Sequence, residues 1–125
     1  MWSAFLIFLG GGLGAVGRHG VNVWTLRQFG PGFPVGTMTV NIIGSLAMGL
    51  FIGWLVKRGG SGDLRLSVAT GFLGGFTTFS AFSLDAANLW ERGGMGPLAF
   101  YIGGTVVLSL VSVFAGLALS RALFS

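Results

Sequence analysis

Apolar residues run through this chain in long, nearly unbroken stretches. Four stand out: residues 2–24, 35–56, 66–90 and 98–120. A helix needs about 20 mostly apolar residues to cross the hydrocarbon core of a bilayer, and each stretch is that long. The segments between them hold the helix breakers. Phe29-Gly30-Pro31-Gly32-Phe33-Pro34 is the first, Lys57-Arg58-Gly59-Gly60-Ser61-Gly62-Asp63 the second and Glu91-Arg92-Gly93-Gly94-Met95-Gly96-Pro97 the third. Each places Gly or Pro where a helix must stop and the chain must turn back. The four Trp residues, Trp2, Trp24, Trp54 and Trp90, all fall at ends of these stretches, where an amphipathic ring sits at the membrane–water boundary. The pattern predicts an all-α membrane protein, a single domain over 1–125 with four transmembrane helices.

Composition narrows the function classes. Of 125 residues, 53% are hydrophobic and 8% charged, against about 25% charged in an ordinary soluble domain. Such a chain lacks the polar surface for a soluble globule and the polarity for a disordered one. The net charge of +4 comes from scattered residues, so no basic run can track a phosphate backbone and no nucleic-acid partner is expected. There is no Cys, one His and three acids, too few for most hydrolytic or metal constellations, and no enzyme is expected. No Lys or Arg precedes the first apolar run and nothing resembles a small-residue cleavage site, so a signal peptide is not expected. The expected location is the cell (inner or plasma) membrane, as a multi-pass protein.

Charge does not orient the chain. With four spans, both termini and the second connector share one side, which carries Lys57, Arg58, Arg65 and Arg121. The other side carries Arg27, Arg92 and Arg18. This near balance gives no clear positive-inside bias. It leaves two readings: a fixed topology with a weak signal, or dual topology with antiparallel pairs. The 24 Gly bear on assembly. Gly10 and Gly14 form a GxxxG pair, and Ser45, Gly49 and Gly53 a small-residue stripe at four-residue spacing. Such stripes let helices approach closely, and a homodimer is the expected use of many of them.

Several residues could carry chemistry. Gly12-Leu13-Gly14-Ala15-Val16-Gly17 fits GxGxxG, but a dinucleotide site needs a preceding strand and a following acid; inside an apolar span, helix packing is the reading. Arg18 and His19 are the ionisable groups of the first span. A charge there is a functional candidate, although Arg18 is close enough to Trp24 to snorkel. At an aqueous vestibule Arg18 would attract anions; His19 reads as an interface residue. Asn41 is the lone carboxamide of the second span, either an interhelical bond or a donor aimed at a solute. In the third, Gly74-Gly75 followed by Thr77-Thr78 makes a poor continuous helix. A break there would free carbonyls that must be buried in protein, face water or hold a cation. Phe76, Phe79 and Phe82 recur every third residue: apolar packing, or ring edges whose partial positive charge suits an anion. Tyr101, Thr105, Ser109 and Ser112 lie on one face of the fourth span, as interhelical glue or as a polar track. No acid occurs before Asp63, which counts against a proton-coupled exporter of small (multidrug) cations. A non-conducting scaffold is a further alternative. Hydroxyls, an amide and aromatic edges without a central fixed charge suit passive anion flow, since conduction needs weak, multiple sites.

Over essentially its whole length the chain resembles the fluoride channel family (Fluc, also called CrcB). The resemblance rests on Leu13-Gly14-Ala15 with Arg18, on Gly36-Thr37 through Asn41 and Gly44, and on Gly71-Phe72-x-Gly74-Gly75-x-Thr77-Thr78-Phe79-Ser80-x-Phe82-Ser83. It implies an antiparallel, dual-topology homodimer with two pores and a broken third helix, exporting cytoplasmic fluoride passively. It also implies a structural Na+ on the backbone carbonyls of Gly74 and Thr77, supplied by both subunits. The fluoride path would take ring edges from Phe79 and Phe82, an amide donor from Asn41 and a polar track from Tyr101, Thr105 and Ser109, with Arg18 at the vestibule. The chain departs from the family at Ala81, where Thr is usual; Ser80 would then serve in its place. Thr105 replaces a common Ser, and Asp85 a frequent Glu.

Overall fold

The computed structural model describes residues 1–124 and is built of helices. In chain order they are α1 (Trp2–Phe29), α2 (Val35–Arg58), α3 (Gly62–Leu64), a π-helix (Arg65–Leu73), α4 (Gly74–Phe76), α5 (Phe79–Glu91) and α6 (Met95–Phe124). Three of these, α1, α2 and α6, are single helices long and apolar enough to span a membrane. The third span in chain order is divided: α3, the π-helix and α4 form one continuous rod, and α5 the second piece. The expected break in the third membrane helix is therefore borne out, and it falls at Thr77-Thr78.

Local sequence explains the ends. Gly30 closes α1 at φ 76° and Gly59 closes α2 at φ 68°, left-handed conformations that only glycine adopts without strain. The Gly59 N–H returns to the Leu55 carbonyl at 2.8 Å, and Lys57 and Arg58 stand in that last turn, where the helix dipole favours cations. Ser61 caps the rod, its hydroxyl accepting from Leu64 N at 3.1 Å. α1 runs past Trp24 to Phe29 because Thr25-Leu26-Arg27-Gln28 continue the helix until Gly30-Pro31. The Trp2 indole N–H donates to Asp63 Oδ2 at 3.2 Å, tying the start of α1 to the second connector.

Backbone-to-backbone crossings carry the packing. A Cβ on Gly10 would meet the Ser67 carbonyl, one on Gly14 the Phe72 carbonyl, and one on Gly75 the Gly11 carbonyl. Across α2 and α6, a Cβ on Gly49 would meet the Val113 carbonyl and one on Gly116 the Leu46 carbonyl. Gly53 faces Ser120, whose hydroxyl donates to the Leu50 carbonyl at 2.6 Å. The Gly10–Gly14 pair and the Gly49–Gly53 stripe, expected mainly at a dimer surface, are used inside one chain, because two helix backbones can come this close only where a residue at the crossing lacks a side chain. The π-helix matters to this fit. It sets residues 67 and 71–72 against α1, and α4 adds 75–76.

Little apolar surface is hidden. The buried apolar residues are Val40, Leu55, Ala69, Leu73, Phe82, Leu89, Leu98 and Tyr101, with Phe82, Leu89, Leu98 and Tyr101 forming one cluster between α5 and α6. Phe8, Leu13, Val16, Val107, Val111 and Phe114 point outward. An exterior this apolar is that of a multi-pass membrane protein, whose solvent is lipid.

Candidate ion pathway and the broken helix

The break begins where the Leu73 carbonyl is saturated. It accepts the Thr77 N–H at 3.0 Å and the Thr77 hydroxyl at 2.9 Å. Thr77 and Thr78 are extended, at ψ 158° and at φ −154°, ψ 126°. Two adjacent β-branched residues favour that conformation, and two preceding glycines weaken the helix they leave. Thr78 then starts α5 as its cap, its hydroxyl accepting from Ala81 N at 3.2 Å.

Side chains from two other helices hold the extended link. Asn41 on α2 donates from Nδ2 to the Thr78 carbonyl at 2.9 Å and accepts the Thr78 N–H on Oδ1 at 2.8 Å. The carboxamide thus pairs with Thr78 as a neighbouring strand would, and its second N–H is uncommitted. Of the two readings open for Asn41, the interhelical bond is present. Arg18 on α1 donates from Nε to the Gly75 carbonyl at 3.1 Å, so this charge sits on the break. Neither these bonds nor the backbone bonds outside the helices supply a donor to the Gly74 and Thr77 carbonyls among the described residues. Gly44 makes room for the link, since a Cβ there would collide with the Thr77 methyl.

Beside the break lies a groove of about 450 Å³, walled by α2, α5, α6 and the link itself. It brings together Asn41, Phe79, Phe82, Thr105 and Ser109 from the expected pathway. The hydroxyl oxygens of Thr105 and Ser109 are buried and have no hydrogen-bond partner among the described residues. The Phe79 and Phe82 rings lie 5.5 Å apart at 50°. Phe79 is 77% exposed and Phe82 7%, so one ring forms the open edge of the groove and the other its floor. No charged side chain lines it.

The remaining expected residues lie elsewhere. Tyr101 is fully buried beneath the groove floor, 5.1 Å from the Phe82 ring. Its hydroxyl donates to Asp85 Oδ2 at 3.1 Å. Asp85 in turn lines a second, polar cavity of about 330 Å³ with Asn22, Thr25, Thr37, Asn88 and Arg92. Tyr101 therefore stands between the two spaces. Ser80 is exposed, 3.4 Å from the Thr78 hydroxyl, outside the groove lining. Phe76 does not share a face with Phe79 and Phe82 as a continuous helix would require: the break intervenes, and Phe76 stacks on Phe72 at 6.2 Å and 6°. The GxGxxG stretch lies within α1, with no strand before it. Sequence reasoning missed Gly44 and Ser45 as groove residues and the Asp85–Tyr101 bond. The three-residue spacing from Asn41 to Gly44, which puts both on one face of α2, was the available signal.

Fold and site together define a small polytopic membrane protein with a helix broken inside the membrane and an uncharged, hydroxyl-lined groove beside the break. The family model described as "CrcB-like protein, Camphor Resistance (CrcB)" matches residues 5–117. The fluoride-specific ion channel FluC of Mesorhizobium japonicum is 54% identical, over 98% of this chain and 99% of the relative. FluC 2 of Nitrobacter hamburgensis is 56% identical, over 93% and 94%. FluC of Agrobacterium fabrum is 52% identical, over 99% and 100%. The chain belongs to the CrcB family.

Proposed function

We propose that the protein is a fluoride-selective passive channel that lets cytoplasmic fluoride leave the cell, and that it is not an enzyme. The observation that carries this reading is the pair of unspent buried hydroxyls, Thr105 and Ser109, in a groove edged by Phe79 and Phe82. Fluoride is small and strongly hydrated, so only close, convergent donors can replace its water. Hydroxyl protons, the uncommitted Asn41 N–H and positive ring edges are such donors, and none holds the ion as tightly as a fixed charge would. A succession of weak sites lets an ion enter and leave. Chloride is larger, and a narrow path closed by a second copy would exclude it.

The groove is open on one side, and a second copy would close it. An antiparallel homodimer with two pores fits the near-even charge of the two faces and the exposure of Phe79. The Gly74 and Thr77 carbonyls fit a sodium ion: they are hard, neutral oxygens that no donor outside the helices reaches among the described residues, and a structural Na+ shared between two copies would satisfy them. Its role would be to hold the break, and with it Phe79 and Phe82, in place.

The test is fluoride efflux from liposomes containing the purified protein, read with a fluoride electrode, with chloride in parallel. Rapid fluoride release on adding a K+ ionophore, with little chloride release, is expected. No fluoride release from well-folded protein would refute the reading.

A further inference from the structure

The break frees a run of carbonyls, and they are not equivalent. Gly75 is met by the Arg18 guanidinium at 3.1 Å, while no donor outside the helices reaches Gly74 before it or Thr77 after it among the described residues. Arg18 is only half-buried, so it is not forced onto this carbonyl by lack of space. It bonds to no carboxylate among the described residues: Asp85 is engaged with Tyr101 and Asp63 with Trp2. Arginine does not lose its proton in proteins, so a permanent positive charge stands beside the oxygens proposed to hold a cation.

We propose that Arg18 makes the broken helix selective for monovalent over divalent cations, by occupying the Gly75 carbonyl and placing a fixed positive charge beside the Gly74 and Thr77 carbonyls. This rests on the sodium reading given above. Two effects act in the same direction. Occupying Gly75 removes an oxygen from a set that Ca2+, which seeks six to eight oxygens, needs more than Na+ does. The charge repels an incoming ion in proportion to that ion's own charge. A unit charge within about 10 Å, at an effective dielectric constant of about 20, changes a monovalent ion's affinity by roughly tenfold and a divalent ion's by roughly the square of that, a hundredfold. A residue with a merely structural role would shift both ions alike.

The experiment is equilibrium binding of radioactive Na+ and Ca2+ to the purified full chain in detergent, with each ion also used as competitor. Wild type is expected to bind Na+ and to keep it against equal Ca2+. Arg18→Gln is expected to bind Na+ about tenfold tighter and Ca2+ about a hundredfold tighter, so that Ca2+ now displaces Na+. Arg18→Lys, which keeps the charge, is expected to go on excluding Ca2+, and it tests the idea even if the Gln variant fails to fold. Na+ and Ca2+ affinities that change by the same factor in Arg18→Gln, or Ca2+ displacing Na+ in Arg18→Lys, would overturn the assignment and leave the cation site standing. Wild type that binds no Na+ would instead refute the sodium reading itself, and the role of Arg18 with it.

Discussion

Replacing Asn41 by Ala removes two hydrogen bonds at once and leaves both Thr78 backbone groups without partners. The lost bonds are the 2.9 Å donation to the Thr78 carbonyl and the 2.8 Å acceptance of its N–H. Each buried backbone group left unsatisfied costs about 1–3 kcal/mol, so the pair amounts to about 2–6 kcal/mol. The loss should register as a lower midpoint in a thermal or denaturant unfolding series in detergent, measured beside wild type. Fluoride flux should fall with stability, because the link that positions Phe79 is loosened. If Asn41→Ala unfolded within about 0.5 kcal/mol of wild type while flux collapsed, Asn41 would be a pathway donor and not a clamp, and the reasoning from its two bonds would be wrong.

Three further outcomes are expected. Thr105→Val and Ser109→Ala remove hydroxyls that bond to nothing, so stability should hold or rise slightly while fluoride efflux from liposomes falls at least several-fold; a loss of stability equal to that of Asn41→Ala would mean the hydroxyls are interhelical glue. Gly44→Ala drives a Cβ into the Thr77 methyl and should destabilise by about 1–3 kcal/mol, whereas adding Thr77→Ser, which deletes that methyl but keeps the hydroxyl, should restore most of it in the same unfolding assay. Gly14→Ala meets the Phe72 backbone and should abolish folded protein on size-exclusion chromatography, while Gly12→Ala, with open space around it, should be tolerated and even add up to about 1 kcal/mol of helix propensity.

Much of the fold could be read along the chain because a bilayer imposes length and apolarity on every segment that crosses it. The four apolar stretches and their Gly and Pro connectors follow from that constraint, as do the Trp positions at the ends. The break at Gly74-Gly75-x-Thr77-Thr78 was legible too, because helix propensity is a local quantity. The residues that meet in the groove were harder. Thr105 and Ser109 share a face by helical spacing, but Asn41 and Phe79 join them only through the packing of α2 against α5 and α6. Phe76 was misplaced because a three-residue repeat implies one face only while the helix is continuous.

Sequence by itself determined that this is a multi-pass membrane helix bundle with an interrupted third span, since length, hydropathy and glycine content act on each segment independently of the others. Tertiary structure alone decided which small residues serve internal crossings, with Gly10 and Gly14 against the π-helix and Gly49 against α6. It alone decided that Arg18 would cap Gly75 and Asn41 would bridge Thr78. Those choices depend on the rotation and depth of one helix against another. Along a stretch that is apolar on every side, such relations leave no periodic mark in the sequence, and only the close contact of two backbones sets them.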